Sequence, residues 1–93
     1  MGLHVRSYES TPNPHAVKCL LTGSISDRPR SFRTPLDAEG DPLASRLFQQ
    51  AGLTCLYLCG DWMTINKDPA DQWAPIKDAV EKVLSEHEPG GEA

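Results

Sequence analysis

The amino-acid sequence predicts a two-layer α+β sandwich: a four-stranded, mainly antiparallel sheet with two helices on one face, in the order β-β-α-β-β-α. Three observations predict it. Short runs rich in apolar and β-branched residues, bounded by Pro, Gly and Asn, occur in pairs. Two other stretches carry apolar residues at helical spacing, with start and stop residues around them. The chain has 93 residues, 39% of them hydrophobic, which suits one modest core and one domain.

The first predicted strand covers Leu3 to Tyr8, where Leu3, Val5 and Ser7 alternate with His4, Arg6 and Tyr8, and it ends in the breaker-rich Ser10-Thr11-Pro12-Asn13-Pro14. A second covers His15 to Leu21, with Val17, Cys19 and Leu21 on one side and Ala16, Lys18 and Leu20 on the other. With both sides partly apolar, this strand belongs inside the sheet. Ser24 to Asp41 shows no regular period and reads as a long surface loop, its Arg28, Arg30 and Arg33 solvated. Asp41-Pro42 then opens a helix as an N-cap followed by Pro at the first helical position, and Gly52 stops it. Leu43, Ala44, Leu47, Phe48 and Ala51 form its buried stripe.

Cys59-Gly60-Asp61-Trp62 offers a two-residue, Gly-containing turn between two β-rich runs. Counting outward from it, Leu58 faces Met63 and Leu56 faces Ile65, which places these four under the helices. Cys55, Tyr57, Cys59, Trp62, Thr64 and Asn66 then share the open face, a partly apolar surface that invites a partner or a weak homodimer. A final helix begins near Ala70 to Gln72, because Pro75 is tolerated only in a first turn. Its stripe is Trp73, Ile76, Val80, Val83 and Leu84, with Trp73 expected in the core. The domain is thus residues 1–86, and 87–93 is expected to be a flexible acidic tail.

Composition excludes several functions. A formal net charge of -4 and a pI near 5.2 give no general attraction to nucleic acid. The longest apolar runs are far short of the roughly 20 residues that span a bilayer, so no membrane association is expected. With no export signal read at the N-terminus, the cytoplasm is the expected compartment. Three cysteines in such a chain are expected to be free thiols. Cys19 belongs to the core side of its strand.

Cys55 and Cys59 are the candidate thiols for metal or redox chemistry. Residues four apart on a strand lie on one face but about 13 Å from each other, whereas a metal ion needs its sulfurs about 2.3 Å away. His4, His15 and His87 are scattered without ligand spacing, and no phosphate loop, nucleophile elbow or paired carboxylates occur. The residues therefore point away from catalysis. Trp62, on the open face beside a turn, suits either packing or binding.

Three segments together resemble the N-terminal domain of the Nfu (NifU-like) iron–sulfur scaffold family. Thr11-Pro12-Asn13-Pro14-His15-Ala16-Val17-Lys18 is similar to the family signature Thr-Pro-Asn-Pro-Asn-Ala-Leu-Lys-Phe, with His15 for the usual Asn and Cys19 for the usual Phe. Asp41-Pro42-Leu43-Ala44 with Leu47-Phe48 is similar to the family's Ser-Pro-Leu-Ala and Leu-Phe. Gly52 through Tyr57, Asp61 through Lys67, and Trp73 mirror its hairpin, its Asp-Phe-Ile-Thr-Val-Thr-Lys strand and its helix-opening Trp.

In family members with both halves, a separate C-terminal domain with a Cys-x-x-Cys pair carries the cluster, and this chain ends before any such domain. The resemblance therefore implies a non-enzymatic accessory module in iron–sulfur assembly, with iron binding a property of the family and no cofactor expected in this domain. It implies assembly or recipient proteins as partners. Thr11, Pro12, Asn13, Pro14 and Lys18 are candidates for meeting them, with Tyr57 and Trp62 of the open face. The loop residues have a structural role open to them as well, since two prolines set the backbone and Asn13 closes an Asx turn. A small redox or metal-handling protein using Cys55 and Cys59 is the alternative.

Overall fold

The computed structural model describes residues 3–86. The expected tail at 87–93 lies outside the described residues. The elements are β1 (Val5–Ser10), β2 (Ala16–Leu21), β3 (Ser26–Phe32), a 3₁₀ helix (Pro35–Ala38), α1 (Pro42–Ala51), β4 (Cys55–Gly60), β5 (Trp62–Asn66) and α2 (Trp73–Glu86). The sheet has five strands in the order β1-β2-β5-β4-β3, and every neighbouring pair is antiparallel.

The α+β class stands, but the strand count was one short and the element order gains β3 between β2 and α1. The segment expected to be a solvated loop pairs with β4, matching Phe32 to Leu56, Ser31 to Tyr57 and Arg30 to Leu58. Its sequence conceals this for a physical reason. As an edge strand it is anchored only at its ends, where Ser26 and Phe32 are buried, while most residues between them are exposed. Pro29, which cannot donate to a ladder, falls in the register shift between Ser26 and Arg30, a place where an edge tolerates it. Nor is Arg30 simply solvated: its guanidinium lies 2.6 Å from the Asp41 carboxylate.

The β4–β5 hairpin has the expected register, with Leu56 opposite Ile65, Leu58 opposite Met63 and Cys59 opposite Trp62. Gly60 turns it at φ 58°, the positive φ that the first central residue of a type II′ turn requires. β5 also pairs with β2, which makes β2 internal. The four apolar residues of the hairpin face are at most 1% exposed and share one core with Cys19, Leu21, the stripe of α1, and Ile76, Val80, Val83 and Leu84 of α2. Both helices therefore cover the same face of the sheet, and they pack against each other.

The start of α1 follows the sequence: the Asp41 carboxylate accepts from the Ala44 amide at 3.0 Å, Pro42 is the first helical residue, and Gly52 closes the helix in the left-handed region. α2 begins at Trp73, slightly later than expected, because Asp68 first forms a turn in which its carboxylate accepts from the Ala70 amide at 2.9 Å. Pro75 is then third in the helix, where its missing N–H breaks no helical bond. β1 is displaced by two residues from the expected Leu3–Tyr8. Leu3 instead sits in the core, and its amide donates to the Leu84 carbonyl at 2.9 Å.

Candidate functional site

The residues singled out in the sequence fall on two surfaces. Lys18, Tyr57 and Trp62 come together on the sheet face opposite the helices. Register explains the meeting: Thr64 lies opposite both Lys18 and Tyr57, so Trp62 is the diagonal neighbour of each. The Tyr57 and Trp62 ring centroids are 5.4 Å apart at 43°, and the Lys18 ammonium stands 4.6 Å from the Trp62 centroid. All three are half-buried, a lysine–indole–phenol ridge across three strands.

The Thr11–Pro14 loop is elsewhere, at the turn between β1 and β2. Its polar groups are largely used internally. The Thr11 hydroxyl oxygen lies 2.9 Å from the Asn13 carbonyl and 3.1 Å from that of Ala16, and it accepts from the Asn13 amide at 3.1 Å. The Asn13 side chain accepts from the His15 amide at 2.9 Å, the Asx turn that its residue type offers. These contacts support the structural role for Thr11 and Asn13. Pro12 and Pro14 are exposed.

That loop forms one wall of an open cleft of about 310 Å³, whose other wall is the head of α2. Tyr8, Trp73 and Lys77 line it, and sequence reasoning named none of them as site residues. Trp73, expected in the core, is only half-buried and packs at the core's edge. The one sequence signal available was Trp73 and Lys77 four apart on a helix. The Tyr8 hydroxyl donates to the Glu81 carboxylate. Burial first, then this hydrogen bond and the negative charge of Glu81, push the Tyr8 phenol well above its ordinary range.

The three thiols are separated. Cys19 is fully buried, and burial, only partly offset by the Lys77 charge, pushes it up to about 12. Cys55 and Cys59 are half-buried on the open face of the same strand, β4. Four residues along a strand set them about 13 Å apart, too far for a shared metal ion and beyond the roughly 7 Å Cα limit of a disulfide. Among the described residues no three His, Cys, Asp or Glu side chains group at metal-binding distance. His4 and His15 lie in separate places on the first hairpin, and His87 lies outside the described residues.

Solved structures define the fold class. A NifU-like protein of Saccharomyces cerevisiae superposes with a TM-score of 0.73 and 27% identity, over 90% of this chain and 76% of that one. A Staphylococcus aureus protein shares the fold at a TM-score of 0.67 and 17% identity, over 86% of this chain and 96% of that one. Residues 5–91 match the family described as "Scaffold protein Nfu/NifU N terminal", and the chain belongs to that family. Among curated relatives, the NFU1 iron-sulfur cluster scaffold homolog, mitochondrial, of Drosophila ananassae is 31% identical over 82% of this chain and 27% of its own length. A NifU-like protein of Schizosaccharomyces pombe is 31% identical over 92% of this chain and 34% of its own. The chain thus spans about a quarter to a third of these relatives.

Proposed function

We propose that this domain is a non-enzymatic protein-binding module of iron–sulfur cluster assembly, which engages carrier or recipient proteins and holds no cluster on its own residues. Family membership supports the pathway, since the Drosophila relatives are named as cluster scaffolds. The separation of the thiols carries the second half. One is sealed in the core and the other two are spaced along one strand, so no two sulfurs of the chain converge.

The Lys18–Tyr57–Trp62 ridge gives the module a contact surface of the right chemistry, because large aromatic side chains dominate the binding energy of most interfaces. Redox action by a Cys55–Cys59 pair has no support within a single chain, for want of disulfide geometry. The cytoplasm is part of the same proposal as its compartment, and the naming of the Drosophila relatives as mitochondrial proteins does not support that part. No helix among the described residues is long and apolar enough to cross a membrane.

Anaerobic reconstitution with iron and sulfide, followed by desalting and visible absorbance, tests the reading. The expected product is colourless apoprotein. A cluster that survives desalting and is lost in Cys55→Ser or Cys59→Ser overturns it.

A further inference from the structure

The sheet ends in two strand edges, and only one of them is guarded. β3 carries Pro29, a register shift between Ser26 and Arg30, and the charges of Asp27, Arg28 and Arg30 along its length, the devices that keep an edge from pairing with another chain. β1 is the other edge. Its register shift lies between Val5 and Ser7, and from Ser7 to Ser10 it pairs with β2 in unbroken register, with Glu9 as the one charge of that stretch.

Hydrogen bonds elsewhere in the sheet settle which backbone groups this edge presents. In an antiparallel strand the N–H and C=O of one residue point to the same side, and successive residues point to opposite sides. The Leu21 amide donates to the Asp61 carbonyl at 2.8 Å, and the His15 carbonyl accepts from the Lys67 amide at 2.9 Å, so the odd-numbered residues along β2 turn toward β5. The even-numbered ones turn toward β1, as the Thr22 amide does in donating to the His4 carbonyl at 2.9 Å. Lys18 and Leu20 thus hold their partners Glu9 and Ser7, and the backbone N–H and C=O of Tyr8 and Ser10 point outward. Among the described residues no turn, loop or cap hydrogen bond reaches these groups.

The side chains of Tyr8 and Ser10 share the helix face with Cys19 and Val17, which lie opposite them, and both residues line the cleft beside Pro14 and Trp73. Glu9 lies opposite Lys18, on the other face. The Lys18 ammonium stands over Trp62, and Glu9 forms no ion pair among the described residues. A strand laid along β1 would send its side chains alternately to these two faces. We infer that β1 docks an extended segment of a partner protein as a further antiparallel strand, with apolar residues opposite Tyr8 and Ser10 facing the cleft and a lysine or arginine between them meeting Glu9. The outward N–H and C=O groups hold the backbone of any such segment, and the alternation of side chains selects among segments. The net charge of -4 favours a basic segment as well. The inference rests on the protein-binding role proposed above and gives that role a site at the sheet edge, apart from the open-face ridge.

The Tyr8 and Ser10 amide signals report on this edge in NMR titrations. The probe is the acetylated, amidated peptide Lys-Val-Lys-Val-Lys. One control is the same peptide N-methylated at both valines, which removes the donors a strand offers to Tyr8 and Ser10; the other is Lys-Lys-Val-Val-Lys, which breaks the alternation. The alternating peptide is expected to move both amide signals downfield, saturably at millimolar concentration or below, and to slow their exchange with solvent. N-methylation should weaken binding more than tenfold and the scrambled order several-fold. Ser10→Pro removes an N–H that points away from β2, a loss an edge strand tolerates, and should abolish the shift at Tyr8; Glu9→Lys should weaken binding several-fold. No saturable shift, or equal binding of either control peptide, overturns the inference. Shifts confined to Lys18, Tyr57 and Trp62 overturn this site while leaving the protein-binding reading intact. Movement of the Tyr8 and Ser10 amides with protein concentration alone gives the edge to a second copy of this chain and overturns the partner segment. The reconstitution result is independent of all of these.

Discussion

Asp41 joins two parts of the fold that its sequence position alone does not connect. One carboxylate oxygen accepts from the Ala44 amide at 3.0 Å and caps α1, and the other lies 2.6 Å from the Arg30 guanidinium on β3. The two roles separate by substitution. Asp41→Ala removes both. Losing the cap costs about 1 kcal/mol, and losing a pair whose side chains are 33% and 17% exposed adds about 0.5 kcal/mol once solvent screening is allowed for. Asp41→Asn keeps a capping oxygen and loses only the charge, about 0.5 kcal/mol. Arg30→Met keeps a stem over Phe32 and removes the pair from the other side. At roughly 4–8 °C per kcal/mol for a domain of this size, Asp41→Ala lowers Tm by about 10 °C and Asp41→Asn by about 3 °C. Urea unfolding of the four proteins, with the Arg30→Met/Asp41→Asn double variant to close a cycle, gives the coupling directly. Equal losses for Asp41→Ala and Asp41→Asn would refute the cap, and a cycle with no coupling would refute the pair.

Two further predictions concern the thiols. Of the three cysteines, Cys55 and Cys59 are expected to react with an alkylating reagent in the native state and Cys19 only on unfolding; at a pH of about 8 a thiol at about 12 has a thiolate fraction of about 10⁻⁴, before its burial is counted. Mass spectrometry after a timed pulse counts the adducts, and a third native adduct appearing as fast as the first two contradicts the burial of Cys19. The same thiol makes stability depend on alkaline pH. Its proton is held more tightly in the folded chain, up to about 12 against an ordinary 9.0, so its contribution is complete below pH 9 and is lost as pH rises toward 12. The slope is about 1.4 kcal/mol per pH unit. Tyr8, raised for similar reasons, acts in the same direction. Denaturant midpoints that stay flat above pH 9, or that fall equally in Cys19→Ala, would exclude this origin.

How much of the molecule can be read from its sequence varies with how local the signal is. The β4–β5 hairpin is legible to the residue because a Gly-containing turn fixes its pairing, and pairing fixes which side chains share a face. α1 is legible because cap, proline and stop residue agree with the apolar period. β3 is not. An edge strand exposed over most of its length needs no alternating pattern, and Pro29 and a bulge erase what remained. The open-face ridge follows from hairpin counting for Tyr57 and Trp62, whereas the place of Lys18 beside them depends on the β2–β5 register, a long-range pairing. The cleft is illegible for a further reason: its walls, the first hairpin from Tyr8 through the Thr11–Pro14 loop and the head of α2 with Trp73 and Lys77, come from two segments far apart in the sequence. At the head of an apolar stripe Trp73 reads as core, and only the approach of the first hairpin leaves it at the rim.

The hydrogen bond from the Leu3 amide to the Leu84 carbonyl makes the described chain nearly a closed ring. Entry and exit lie side by side at the far end of α2, about 17 Å along the helix from Trp73 at a rise of 1.5 Å per residue. The two ends of the described chain therefore lie together, away from the cleft. Joining residues 3 and 84 by a short linker and reopening the chain in an exposed loop such as the one after Phe32 should yield a circular permutant with the same two surfaces.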